Sequence, residues 1–93
     1  MIQSFARAET ERLFRAELAR RIPPTIQRTA RRKLLLLDAV TELSQMAVPP
    51  GNRLEALKGD RQGRHGIRVN DQWRICFRWH DGNAYDVEIT DYH

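Results

Sequence analysis

Trp73-Arg74-Ile75-Cys76-Phe77-Arg78-Trp79-His80 decides how this chain folds. Large apolar side chains stand at every second position, and arginine, cysteine and histidine fill the places between. Successive side chains of an extended strand point to opposite faces, so the stretch reads as a strand with one face in a core. The same alternation precedes it, where Ile67 and Val69 are interleaved with Gly66 and Arg68. It also follows it, where Tyr85, Val87 and Ile89 are interleaved with Asp86, Glu88 and Thr90. Asn70-Asp71-Gln72 and Asp81-Gly82-Asn83 are the turns between them.

Gathering the apolar residues on one face constrains the register. Val69 beside Trp73 and Phe77 beside Val87 call for three-residue loops at both turns, or connections of the same parity. A two-residue Asp-Gly loop pairs Phe77 with Asp86 and buries a charge, so it is rejected. In the accepted register Arg68 lies opposite Arg74, Arg64 opposite Arg78, and Arg78 opposite Asp86. Like charges directly opposite one another destabilise a sheet. Either Asp86 and Glu88 neutralise these arginines, or the polar face is built to receive an anion. Tyr92 falls on the face of Arg74, which favours the anion. Strict alternation puts His93 on the other face.

The first half of the chain has helical spacing. Ile2 to Phe5 reads as a short strand. A helix is expected from Ala8 to about Arg21, with Leu13, Phe14 and Leu18 on its apolar face and Ser4 or Thr10 as its cap. Pro23-Pro24 stops it, and Pro24 or Thr25 opens a second helix to about Gln45. Ile26, Ala30, Leu34, Leu37 and Leu36, Val40, Leu43 form its apolar stripe, while Arg28, Arg31, Arg32 and Lys33 mostly face elsewhere. That basic run is open to three readings: ribosomal RNA, an acidic partner, or solvent. Pro49-Pro50-Gly51-Asn52 separates the halves, and Leu54-Glu55-Ala56-Leu57-Lys58-Gly59-Asp60-Arg61 reads as a short strand running into a basic turn. The expected fold is α+β, an N-terminal helical hairpin packed on a mainly antiparallel twisted sheet, with residues 1–93 as one domain.

Bulk composition is that of a small globular chain. Ninety-three residues suffice for one modest core. The net charge is +4, and arginine supplies 14 of the 16 basic side chains. Arginine suits phosphate because its planar fork bonds two oxygens at once. The single cysteine, Cys76, excludes an internal disulfide and fits a reducing compartment. The N-terminal residues lack the apolar run of a signal peptide, and the longest apolar run, Leu34 to Leu37, is too short for a bilayer. The expected location is the cytoplasm, with no membrane contact. His65, His80 and Cys76 match no metal-ligand spacing, so neither a metal nor a cofactor is expected. Trp73 and Trp79 share the apolar face and read as core.

Taken together, the helix pair, Arg53-Leu54-Glu55-Ala56-Leu57-Lys58-Gly59-Asp60-Arg61, Ile67-Arg68-Val69-Asn70, Trp73-Arg74-Ile75 and the final Asp91-Tyr92-His93 closely resemble the HigB toxins. These belong to the RelE/ParE superfamily of bacterial type II toxin–antitoxin systems. The resemblance covers nearly the whole chain and is strongest from Arg53 to His93. It implies a microbial ribonuclease-like fold and cleavage of mRNA on translating ribosomes, at codons in the decoding site. It also implies neutralisation by a HigA antitoxin with a helix-turn-helix domain, operator DNA being reached only through that antitoxin.

Lys58, Arg74, Asp91, Tyr92 and His93 match family positions assigned to RNA binding or cleavage. The chain departs from the family at Glu55-Ala56, where HigB toxins often have histidine followed by proline; the related YoeB toxins carry a glutamate at the comparable place. The implied reaction is attack of a ribose 2′-hydroxyl on the adjacent phosphodiester. Glu55 or His93 is its base, His93 or Tyr92 its acid, and Arg74 its phosphate clamp. Asp91 completes the expected catalytic set, and Lys58, Arg61, Arg64, Arg68 and Arg78 the RNA-binding set. Two other functions share the scaffold: a non-enzymatic inhibitor of DNA gyrase like the ParE toxins, and an RNA-binding module without catalysis.

Overall fold

A computed structural model describes residues 1–59 and 63–91 of the chain. Two helices, α1 (Ala8–Phe14) and α2 (Pro24–Ala39), precede strands β1 (Glu55–Ala56), β2 (Arg64–Arg68), β3 (Trp73–His80) and β4 (Asn83–Asp91). The strands form one antiparallel sheet in the order β1-β2-β3-β4. The helices cover one face of it. There Leu13, Ile26, Ala30, Leu34 and Leu37 pack with Ile67, Ile75, Phe77, Val87 and Ile89, with Trp73 and Trp79 at the margin. The expected α+β architecture and the expected core face are both present.

The N-terminal segment forms two isolated parallel bridges rather than a full strand, Ile2 with Ala84 and Phe5 with Val87. Its purpose is legible in the bonds. The outer edge of β4 would otherwise present bare N–H groups. Main-chain carbonyls of Met1 and Ser4 accept from Ala84 and Val87. The two hydroxyls expected to cap the first helix serve the same edge instead. Ser4 Oγ accepts the Asp86 N–H at 2.9 Å, and Thr10 Oγ1 accepts the Ile89 N–H at 3.0 Å.

Both helices are shorter than their apolar spacing suggests. α1 ends at Phe14 because Ala16 adopts a left-handed conformation, φ +60°. The Glu17 N–H then bonds to the Arg12 carbonyl and the Ala16 N–H to the Leu13 carbonyl. This is the Schellman arrangement that glycine usually closes. Leu18 therefore leaves the helical face on which it was placed and is exposed. α2 ends at Ala39 because Gln45 captures the next backbone groups, its Oε1 accepting from the Thr41 and Glu42 N–H groups. Residues Leu43–Ala47 then form a 3-10 turn that buries Met46.

The first hairpin has the expected three-residue loop, with Arg68 opposite Arg74 and Arg64 opposite Arg78. Asn70 Oδ1 organises that loop by accepting the Gln72 and Trp73 N–H groups. The second hairpin uses the loop that was rejected. His80 pairs with Asn83 across Asp81 and Gly82, whose φ angles of +49° and +79° make a primed turn. The parity lost there is restored by a bulge between Cys76 and Arg78, where Asp86, φ +53°, is the extra residue of β4. Arg78 consequently pairs with Tyr85, and beyond the bulge Ile75 meets Ile89.

Two substitutions test this backbone. Ala16→Gly relieves a left-handed alanine and should stabilise by about 0.5–1 kcal/mol. Gly82→Ala should destabilise by more than about 1 kcal/mol, since its Cβ would stand 3.1 Å from the Thr41 carbonyl oxygen in a strained conformation. Urea unfolding of each variant measures both, and opposite signs are expected.

Candidate active site

Pairing places Glu55, Gly66, Cys76 and Glu88 in one row across all four strands, on the face away from the helices. Directly opposed residues of an antiparallel pair share a face. Arg68, Arg74 and Thr90 form the next row on one side, and Arg64, Arg78 and Tyr85 the row on the other. The arginines are therefore on one open face, as expected. Each finds an acceptor there, and most of these acceptors differ from those the alternation suggests.

Glu55 and Arg74 are in contact, Oε1 to Nη1 at 2.8 Å. Arg74 is largely covered, 17% exposed, whereas Glu55 is 45% exposed. The guanidinium is thus held in place while the carboxylate stays within reach of a ligand. The planar fork of an arginine matches the oxygens of a phosphate as well as those of a carboxylate. Arg68 bonds to Asp71 in the adjacent turn, and this guanidinium holds the Asp71 carboxyl below the usual carboxylate range. Arg78 bonds to Asp86 at 2.7 Å, the pair expected from the sequence although the bulge shifts its register. Arg64 Nη2 donates to the Asp86 main-chain carbonyl at 2.8 Å.

Glu88 was expected to neutralise the sheet arginines. It is buried, and Arg7 from the segment before α1 reaches its carboxylate at 3.4 Å. Neither residue was a site candidate, although alternation puts Glu88 on the face of the sheet arginines. Lys33 is a second departure. Its position in the basic run suggested solvent, yet it is buried and its Nζ donates to the Arg68 carbonyl from the helical side. Burial pushes its pKa below the usual lysine value, and the charges of Arg32 and Arg68 add to that shift.

Asp91 closes β4 at its C-terminal end. It pairs with Trp73, and its Oδ2 accepts from Gln72 at 2.9 Å. Lys58 is exposed just beyond β1. Arg61, Tyr92 and His93 lie outside the described residues. His65 turns to the core side and stacks on Phe77, centroids 6.2 Å apart. Cys76 is buried. Among the described residues no group of three or more histidine, cysteine or acidic side chains is placed to hold a metal ion. Nor is any described helix long and apolar enough to cross a membrane.

Comparison with known proteins places this geometry. Residues 3–93 match the model of the HigB-like toxins, described as RelE-like toxins of the type II toxin–antitoxin system HigB. The chain belongs to that family. This HigB-like chain is 48% identical over 70 residues to Toxin HigB-1 of Vibrio cholerae, which covers 75% of the chain and 74% of the relative. It is 33% identical to Endoribonuclease HigB of Proteus vulgaris over the whole of both proteins. A crystal structure of a YafQ mutant from E. coli superposes with a TM-score of 0.65 over 98% of the chain and 93% of YafQ. At 11% identity that likeness speaks for the fold. Membership of a toxin–antitoxin family implies an antitoxin partner, and the gyrase-inhibitor alternative is not favoured by these relatives.

The accessibility of Glu55 sets the expected strength of its pair. A double-mutant cycle with Glu55→Gln and Arg74→Gln, read by urea unfolding, should give a coupling of about 0.5–1 kcal/mol. A coupling above about 2 kcal/mol would make the pair a structural anchor of the sheet instead.

Proposed function

We propose that this HigB-like toxin is a ribosome-dependent mRNA endonuclease, with Glu55 and Arg74 at the centre of its chemistry. The observation that carries the reading is the contact between an accessible carboxylate, Glu55, and a positioned guanidinium, Arg74. The name of the full-length relative, endoribonuclease, supports it. In this reading Glu55 accepts the proton of a ribose 2′-hydroxyl as the 2′-oxygen bonds to phosphorus. The bond from phosphorus to the 5′-oxygen breaks, and His93 or Tyr92 gives that oxygen a proton. The products are a 2′,3′-cyclic phosphate and a free 5′-hydroxyl.

Arg74 stabilises the crowded phosphorane, where fixed donors count most. Lys58, Arg61, Arg64, Arg68 and Arg78 hold neighbouring phosphates, and Asp91, bonded to Gln72, fixes the end of β4. The small face offers few groups to order a flexible strand, so a ribosome that presents the codon supplies the missing alignment. A HigA-like helix-turn-helix antitoxin is the proposed inhibitor and the link to operator DNA.

Primer extension on translated mRNA should show cuts within codons, surviving a chelator level that leaves ribosomes intact, while naked RNA is cut poorly. Intact mRNA on active ribosomes would sink the proposal. Glu55→Gln keeps shape and removes proton acceptance, so single-turnover cleavage should fall by roughly 10²-fold. Arg74→Ala should cost about 10²–10³ in rate. Arg28→Ala, on the helical side, should leave the rate unchanged.

A further inference from the structure

The helical layer has a surface that the proposed chemistry does not use. A groove of about 700 Å³ runs between the end of α1 and the exposed side of α2. Leu13, Ala16 and Leu35 contribute apolar floor, and Leu35 is 42% exposed. Arg28, Arg31 and Arg32 form its rim. On the sheet Arg64, Arg68, Arg74 and Arg78 are all bonded to acceptors of the chain itself. The rim arginines differ: among the described residues none of them makes an ion pair or a side-chain hydrogen bond, and the Nε of Arg31 is buried without an acceptor, as the Nε of Arg64 is on the sheet.

We propose that this groove binds an acidic amphipathic segment of the antitoxin. The inference rests on membership of a toxin–antitoxin family and not on RNA cleavage. Phosphate would use the rim and leave the leucines idle. A segment with apolar residues on one side and carboxylates flanking them uses both, burying the floor and giving each guanidinium a partner. Arginine at the edge of an apolar patch is a frequent source of binding energy. Glu17 is the one carboxylate in the lining, and it opposes such a ligand. The groove lies across the sheet from Glu55 and Arg74, so a segment seated there leaves the candidate active face uncovered.

The test uses the full chain and the antitoxin of its own operon, purified separately and titrated by calorimetry. Leu35→Asp and the pair Arg28→Glu with Arg32→Glu should each weaken binding at least tenfold. Glu17→Gln should tighten it about threefold. These positions are at the surface, and thermal melts confirm that each variant is folded. Hydrogen exchange of the wild-type complex should show new protection in α2. Wild-type affinity in all variants, with no protection of α2, would overturn the proposal. So would antitoxin affinity kept in the arginine variant while its co-sedimentation with ribosomes is lost, which assigns the rim to RNA. Loss in Leu35→Asp alone, with the charge variants silent, would overturn the acidic character of the ligand. None of these readouts depends on cleavage, so the groove and the active face stand or fall separately.

Discussion

The sheet depends on one residue more than its neighbouring strand can match. The tight turn at Asp81 and Gly82 starts β4 in a register that would send Val87 and Ile89 to the wrong side. The bulge at Asp86 corrects it, and everything beyond takes its face from that correction. A left-handed aspartate is held only if its surroundings demand it. Here all its polar groups are engaged: the N–H by Ser4, the carbonyl by Arg64 and the carboxylate by Arg78. Two arginines that face each other across the sheet thus share one acceptor residue, which offsets their repulsion.

The same economy runs across the open face. Like charges sit opposite one another in two rows, and each is matched by an acceptor drawn from a turn, a bulge or the edge strand. Such exposed pairs add little stability, on the order of 1 kcal/mol or less each. Their larger effect is positional. Arg74 is nearly covered yet oriented by the carboxylate proposed to accept a proton beside it, so the clamp and the base come as one unit. Among the described residues the arginines of α2 have no such partners, and the contrast separates a face whose arginines are held by the chain from a rim whose arginines are not.

Much of this was legible from residue spacing. The period of two survives in β2, in β3 and in β4 beyond its bulge, because an apolar face against helices leaves little freedom in register. The opposition of Arg68 to Arg74 followed from it. Tyr85, before the bulge, falls on the open face and not with Val87 and Ile89. The illegible parts depend on single residues acting against type. Ala16 takes a place that glycine usually fills, Gln45 intercepts a helix whose apolar stripe continues, and Asp86 inserts itself into a ladder. Phe77 was kept away from Asp86 by forbidding the Asp-Gly turn, whereas the chain keeps the turn and displaces the aspartate. In the site, the arginine face could be read from alternation, but the contact of Glu55 with Arg74 could not, because β1 is too short to have a period. Lys33 is illegible for a related reason: it closes a run of arginines, and the Arg68 carbonyl beneath it, which accepts from its Nζ, is not visible in the spacing.

The covering of β4 by residues near the N-terminus also constrains when the protein can exist. Bonds such as Thr10 to Ile89 and Ser4 to Asp86 close loops of 79 and 82 residues. Contacts so distant in sequence form late, since the chain must first lose the entropy of the intervening loop. During synthesis the outer edge of the sheet stays open until residue 89 has left the ribosomal tunnel, and Arg7 cannot meet Glu88 before then. A nascent chain therefore holds an unfinished face until β4 has emerged to meet residues made some eighty positions earlier.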